Sequence, residues 1–393
     1  MIMLRLFTCC AASAALLLAG CNGMHTRPDK ARLDIGNVAR TSHLSIAFDQ
    51  DGNHYPPAQW AHVLPNGDFD WMTIPERGAS PAFQLRDLPG LGNTVYADDS
   101  DEALIQRYAE LLGAVLGETK RLFVFIHGFN NTHRQAANNI DALAGAVDTS
   151  NAVRLDVFWD GLNDSGRSTA VVPFRWRKSL VYSSLAGQIG LRRVLNRLPR
   201  PVEVIFVTHS RGAGVALATL ADPFYAANIC APGGKPAGGQ CRYDHEAPDY
   251  SRYSSIRMLM LAPAIGDEHI RQSTFDQISA LAPVSIHMVA NEKDRATCKT
   301  FLFPAHWFGD SRLGFQPSYI RGAEEGFTQN TQASFAYRTF AATGQSHAVT
   351  TYLQRKETRE LMCAAGLSVD AACAPHPNTR NGNGNGNGMS SAQ

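Results

Sequence analysis

Three apolar runs separated by helix-length stretches limit what this 393-residue chain can fold into. Leu122-Phe123-Val124-Phe125-Ile126 has no polar position, so a strand made from it is covered on both faces. Residues 153–159 and 202–207 follow as the next strands. Between the runs, spacing predicts helices over 132–147 and 176–198, and a third over 211–221 after the last run. Ahead of them, Leu104, Tyr108, Leu111, Leu112 and Val115 recur at helical spacing behind Asp98, Asp99 and Asp101, whose charge favours a helix start. Behind them, 256–262, 284–289 and 335–340 are further strand candidates. Alternation of this kind implies an α/β fold with a mostly parallel central sheet flanked by helices. Sheets of that type bind ligands at the C-terminal ends of their strands.

The composition supports a sizeable core, with 44% apolar residues, and the formal net charge is only +1. That balance argues against nucleic acid or another polyanion as a partner. Basic residues cluster at Arg175-Trp176-Arg177-Lys178 and Arg192-Arg193, and solvated helix faces are the expectation for both.

Residues 1–20 read as a targeting segment. Arg5 precedes an apolar stretch over 6–18 that is too short to span a bilayer as a mature helix. Leu18-Ala19-Gly20-Cys21 follows directly and resembles the lipobox of bacterial lipoproteins. The resemblance implies cleavage before Cys21, lipidation of its thiol with fatty acyl chains such as palmitate, and membrane attachment through that anchor. Several chains on one residue hold stably, since each buried methylene adds about 0.8 kcal/mol. By the same resemblance, Asn22 after the lipidated Cys fits outer-membrane sorting, which implies the envelope of a Gram-negative bacterium as the location. An ordinary secretory signal with a Cys near its cleavage site is the alternative.

Export means an oxidising compartment. Cys230, Cys241, Cys298, Cys363 and Cys373 remain after the signal and the anchor, an odd number that leaves one thiol unpaired within the chain. Cys230 and Cys241 flank a Gly/Pro-rich loop and form the first disulfide candidate; Cys363 with Cys373 is the second, with Cys298 competing for either. No spacing resembles a zinc site, so no metal is expected.

These features divide the chain into a signal (1–20), a tether and irregular β-containing lead-in (21–95), the α/β domain (96–365) and an Asn/Gly-rich tail expected to be disordered (366–393). Two insertions fall near the strand ends. Residues 226–253 read as a flap or a stapled surface loop, and the aromatic-rich 301–332 as packing or as the wall of an acyl pocket.

Chemistry is concentrated in Val207-Thr208-His209-Ser210-Arg211-Gly212, where a buried strand runs into a Ser with small residues two positions to either side and then into a helix. A sharp turn there projects the hydroxyl clear of the backbone, and the following amide can face a developing oxyanion. The segment resembles the nucleophile elbow of α/β-hydrolases, with Thr208 where the first Gly of G-x-S-x-G stands. The resemblance covers roughly 100–365 and implies the α/β-hydrolase fold with loop insertions near the site. In that family the order is Ser, acid, His, with acid and base on loops after late strands. Asp294 lies in the loop after 284–289 and His347 in the loop after 335–340, so they resemble the acid and the base. Asp267, after the preceding strand, is the alternative acid, and Glu292 is third. His127-Gly128-Phe129-Asn130 resembles the family's His-Gly loop, which makes Phe129 and Arg211 the amide donors of an oxyanion hole and His127 a loop brace. His209 is expected to be structural.

Together these features imply a lipid-anchored serine hydrolase acting on a small-molecule or lipid ester through Ser210, His347 and Asp294, with no cofactor. A thioesterase or amidase is the rival within the fold. A non-catalytic hydrolase-fold lipoprotein with a binding or assembly role is the rival from another class. A fold of this kind hosts many reactions, so it does not name the substrate.

Overall fold

The computed structural model describes residues 42–54, 101–131, 133–161, 172–221, 229–230, 243–244, 246–266, 270, 282–298, 311–328, 333–343, 347–369 and 373. The signal, the Cys21 anchor, most of the lead-in, Asp267, Cys241 with its pairing to Cys230, and the Asn/Gly tail lie outside them.

Seven parallel strands form one open sheet: β1 (His43–Phe48), β2 (Arg121–Ile126), β3 (Val153–Trp159), β4 (Val202–His209), β7 (Tyr253–Leu261), β8 (Val284–Asn291) and β9 (Ala333–Phe340). The short strands β5 (Ile229–Cys230) and β6 (Tyr243–Asp244) pair separately. The helices are α1 (Asp101–Leu116), α2 (His133–Ala146), α3 (Val172–Leu185), α4 (Arg192–Asn196), α5 (Gly212–Leu220), α6 (Arg295–Cys298), α7 (Pro317–Phe327), α8 (Val349–Leu353) and α9 (Lys356–Ala364).

Two-sided burial follows directly from the apolar runs. On β2, Leu122, Val124 and Ile126 join a core with Ile105 and Tyr108 of α1, whereas Phe123 and Phe125 join another with Ala136 and Ile140 of α2. Val204 and Phe206 of β4 enter the first core, and Ile205 and Val207 the second. Helices therefore cover both faces. The lead-in run Leu44–Phe48 extends the sheet: β1 is its edge strand, in register with β3 from His43↔Arg154 to Phe48↔Trp159.

Strand order is β1-β3-β2-β4-β7-β8-β9, so the chain runs outward from β2 to β3 and then returns to place β4 on the other side of β2. Open α/β sheets carry their sites where such a reversal falls, here at the C-terminal ends of β2 and β4.

The helix expected over 176–198 is not uniform. Its middle widens into a π-turn, Ala186–Leu191. A Cβ on Gly187 would stand 2.5 Å from Ala218 Cβ and one on Gly190 2.5 Å from the Phe48 ring, so the wide turn brings bare backbone onto α5 and β1. Arg192, expected on a solvated face, is fully buried. Its guanidinium donates to the carbonyls of Ala218, Thr219 and Ala221 at 2.6, 3.0 and 2.5 Å and to Glu246 O at 2.9 Å. A helix C-terminus leaves its last carbonyls without partners and carries partial negative charge, and a cation there answers both. Arg193 pairs instead with Glu102 at 2.5 Å; its side chain is only 14% exposed beside the half-exposed carboxylate, so it too departs from a freely solvated face.

Of the described aromatic residues in the second insertion, Phe327 packs on Phe335 at 5.9 Å and Tyr319 lies against the main core. Cys363 and Cys373 form a disulfide, and Cys298 is a free thiol. Among the described residues, no helix is long and apolar enough to cross a membrane.

Candidate active site

β4 ends at His209 and α5 begins at Gly212, leaving Ser210 and Arg211 to make the turn between them. Ser210 takes φ +55°, a left-handed conformation that costs a non-Gly residue about 1–3 kcal/mol. Three main-chain bonds hold it: Ser210 N–H donates to Leu261 O at 2.9 Å, and Ser210 O accepts from Ala264 N–H at 3.1 Å and Ala213 N–H at 3.3 Å. Gly212 is required by space, since a Cβ there would lie 2.6 Å from the carbonyl oxygens of both Ile126 and His127.

Thr208 is accommodated because the close approach is made by another residue. It is buried within the ladder between Ile126 and Met260. Gly128 of the neighbouring loop comes closest to the serine instead. A Cβ on Gly128 would stand 2.8 Å from Ser210 Cβ and 3.2 Å from His209 Nδ1. His127 is the expected brace: its Nδ1–H donates to Gly128 O at 2.8 Å, while Nε2 accepts from Trp159 N–H at 3.2 Å. Trp159 Nε1–H returns a bond to His127 O at 2.9 Å. Asn130 turns the loop at φ +61° and donates to Gly161 O at 2.8 Å. Phe129 follows Gly128 and Arg211 follows Ser210, so the backbones of both expected oxyanion donors border the serine. The Phe129 ring meets Trp176 edge-on at 5.3 Å, in a small apolar cluster with Leu180 and Ala264.

Arg211 also works through its side chain. Its buried guanidinium donates to Ser183 Oγ at 2.8 Å, Ala264 O at 3.1 Å and Leu180 O at 3.4 Å. It thereby ties α3 to the residue whose amide holds Ser210 O. A Cβ on Gly214, two residues beyond the motif, would come within 2.9 Å of this guanidinium.

The loops after β8 and β9 bring Asp294 and His347 to the serine. His347 Nε2 lies 2.8 Å from Ser210 Oγ, and His347 Nδ1 lies 2.7 Å from Asp294 Oδ2. Asp294 is fully buried, while the His347 side chain is 27% exposed. Burial alone raises the Asp294 pKa, but the hydrogen bond and charge of His347, the Tyr352 hydroxyl and the Ala296 amide outweigh it and hold the carboxyl below its ordinary value. With Asp294 ionised, Nδ1 carries the imidazole proton and Nε2 offers its lone pair to the serine hydroxyl. Glu292 is directed elsewhere, accepting from Thr339 Oγ1 at 2.8 Å on an exposed edge.

Three buried residues brace these loops: His209, expected to be structural, and Asn291 and Tyr352, which had no signature in the sequence. Asn291, fully buried at the end of β8, donates to Ala342 O at 3.0 Å and accepts from Ala342 N–H at 2.9 Å and Lys293 N–H at 3.1 Å. One side chain thus joins the acid loop to the base loop. His209 Nε2 donates to the His347 carbonyl at 2.8 Å, with the two rings 4.9 Å apart. Burial, followed by the charge of His347, pushes the His209 pKa down to about 3, so this ring stays neutral. Tyr352 of α8 donates its hydroxyl to Asp294 Oδ2 at 2.9 Å.

A parallel sheet with a Ser–His–Asp hydrogen-bonded chain at its topological switch point has the α/β-hydrolase fold. No family model and no curated protein matches the sequence. Among solved structures, the crystal structure of LpqC, a poly(3-hydroxybutyrate) depolymerase from Bordetella parapertussis, is similar at 13% identity and a TM-score of 0.31, covering 64% of this chain and 83% of that one. The agmatine ureohydrolase of Thermoplasma volcanium is similar at 12% identity and a TM-score of 0.18, covering 64% of this chain and 94% of that one. Overlaps this loose bear on neither fold nor chemistry, which rest on the strand order and the site.

Proposed function

We propose that this protein is a serine hydrolase that cleaves carboxylic esters or related acyl compounds through an acyl-enzyme. The observation that carries the reading is the unbroken chain of short contacts, 2.8 Å from Ser210 Oγ to His347 and 2.7 Å from His347 to a fully buried Asp294. A hydroxyl is a weak nucleophile until a neighbouring base takes its proton, and the base needs a third group to fix its tautomer. Ser210 Oγ attacks the carbonyl carbon while His347 Nε2 takes the hydroxyl proton. The carbonyl π pair moves onto oxygen, and the amides of Arg211 and Phe129 stabilise that charge. Collapse breaks the bond to the leaving alkoxide, which receives the proton from His347. Water then attacks the acyl-enzyme, giving its proton to His347, and the acid departs as Ser210 recovers its hydrogen. No cofactor takes part.

A fluorophosphonate probe tests this directly. One adduct is expected on Ser210 in the wild-type protein and none in Ser210→Ala, with ester turnover falling by at least about 10⁴-fold in the variant. Folded wild-type protein that stays unlabelled while a control hydrolase reacts would overturn the reading. By the lipobox at 18–21, the substrate is met at the cell envelope, with Cys21 carrying the anchor. Metabolic labelling with a palmitate analogue should mark the wild-type protein and not Cys21→Ser; equal labelling of both removes that part.

A further inference from the structure

We infer that Tyr352 is a positioning residue of the Ser210–His347–Asp294 chain, whose hydroxyl holds Asp294 and limits how strongly that carboxylate attracts the His347 proton. The inference rests on the hydrolase reading above and deepens it.

The two oxygens of Asp294 are used differently. Oδ1 accepts from the amides of Ala296 and Thr297 at 2.9 and 3.4 Å, in the turn that starts α6. Those bonds are local and set the rotation of the carboxylate. Oδ2 accepts from His347 Nδ1–H at 2.7 Å and from Tyr352 O–H at 2.9 Å. The base and the phenol therefore share one oxygen. Both belong to the same short stretch, His347 before α8 and Tyr352 on it, so the stretch grips Asp294 at two points.

The phenol is held in place. Tyr352 is fully buried, its ring edge-on to Phe340 at 5.0 Å and to His209 at 6.3 Å. Burial, with the adjacent Asp294 charge, pushes its pKa well above the ordinary tyrosine value, so it remains a donor throughout the working range. A donor to an ionised acceptor forms one of the stronger protein hydrogen bonds and stabilises the anion. A carboxylate stabilised in this way is a weaker partner for an imidazolium.

Other charged or titratable groups around the pair come from several elements. His209 of β4 lies 4.9 Å from the His347 ring, and His127 after β2 acts on His209 at longer range. Arg355, after α8, stacks over Phe340 at 5.1 Å. His209, with its pKa pushed down to about 3, changes no charge where an imidazole base titrates.

Tyr352→Phe in the full-length protein keeps the ring and its packing on Phe340 and removes only the donor. Oδ2 then serves His347 alone, the imidazolium is better stabilised, and the acidic limb of kcat/KM for a p-nitrophenyl ester moves to higher pH by about 0.5 unit. The plateau falls several-fold, mainly in kcat. Site-specific 3,5-difluorotyrosine at 352, a more acidic phenol and stronger donor, moves the limb the other way. The His347 ring titration followed by NMR gives the same two directions without any turnover. A limb and a ring titration unmoved in both variants overturn the inference, whatever happens to the plateau. Failure of the hydrolase reading shows separately, as absent labelling of Ser210.

Discussion

Around Ser210 the close contacts are made by main chain and by glycines, whereas around His347 and Asp294 they are made by buried polar side chains. Gly128, Gly212 and Gly214 each lie where a Cβ would come within 3 Å of a neighbour, and Ser210 is held at φ +55° by three backbone bonds. The acid and base loops depend instead on Asn291, His209 and Tyr352. The difference follows from distance along the chain. Ser210 sits in a two-residue turn between adjacent elements of a rigid sheet, so sterics can place it. Asp294 and His347 are 53 residues apart in separate loops, which are joined by Glu292 N–H donating to Phe340 O at 2.9 Å and by buried polar side chains. Packed glycines tolerate no addition; a polar bridge tolerates truncation at a graded cost.

Paired substitutions test that contrast, and the largest effect is expected on the serine side. Gly128→Ala drives a methyl to 2.8 Å from Ser210 Cβ, so the serine or the Phe129 loop must shift by several tenths of an ångström. Misplacing the nucleophile or an oxyanion donor costs about 10²–10³-fold, so kcat/KM should fall by that much. Asn291→Ala leaves the buried N–H and C=O of Ala342 without their partner. Each unsatisfied group costs about 1–3 kcal/mol, and the base loop loses alignment by a smaller margin, so about a tenfold drop in kcat/KM is expected together with a lowered denaturation midpoint. Steady-state kinetics and urea unfolding on both variants decide the matter. The contrast breaks if Gly128→Ala keeps wild-type kcat/KM or if Asn291→Ala is the more damaging to rate.

What the sequence revealed follows the same division. The strands were legible because two-sided burial leaves no polar position in a run such as 122–126, and β1 was visible as Leu44–Phe48 though not as the sheet edge. Ser210, Asp294 and His347 were legible as residue types at the ends of strands in a fixed chain order. Arg192 was misread, since a pair of arginines in a helical pattern looks solvated. Its partners are the last carbonyls of α5, some 26 to 29 residues further on. The π-turn was hidden by an unbroken helical periodicity over 176–198, and only Gly187 and Gly190 hinted at it. Asn291 and Tyr352 carry no local signal, because their partners are set by which loops the sheet brings together.

The smallest expected effect concerns His209, which belongs to the serine strand yet bonds the base loop, and so joins the two halves of the comparison. Burial pushes its pKa down to about 3 in the folded protein, against an ordinary histidine value near ~6.5 in the unfolded chain. Between those values the unfolded chain binds a proton that the folded protein refuses. The corresponding stability is fully present above the unfolded value and is lost as pH falls toward about 3, at up to about 1.4 kcal/mol per pH unit. His287, pushed down to about 4, adds a slope of the same sign, and Asp294 adds one only below the ordinary carboxylate range. His209→Gln removes one such slope while its amide can still donate to the His347 carbonyl. Urea unfolding at pH 6.0, 5.0 and 4.5 should therefore show a dependence shallower by about 1 kcal/mol per unit, with activity at neutral pH within a few-fold of wild type. An unchanged slope would mean that His209 opens to solvent and takes up its proton, and the bond to His347 O would then be no fixed link. A flat slope with activity lost would instead show that the imidazole shape, and not only its N–H, seats the base loop against Gly128.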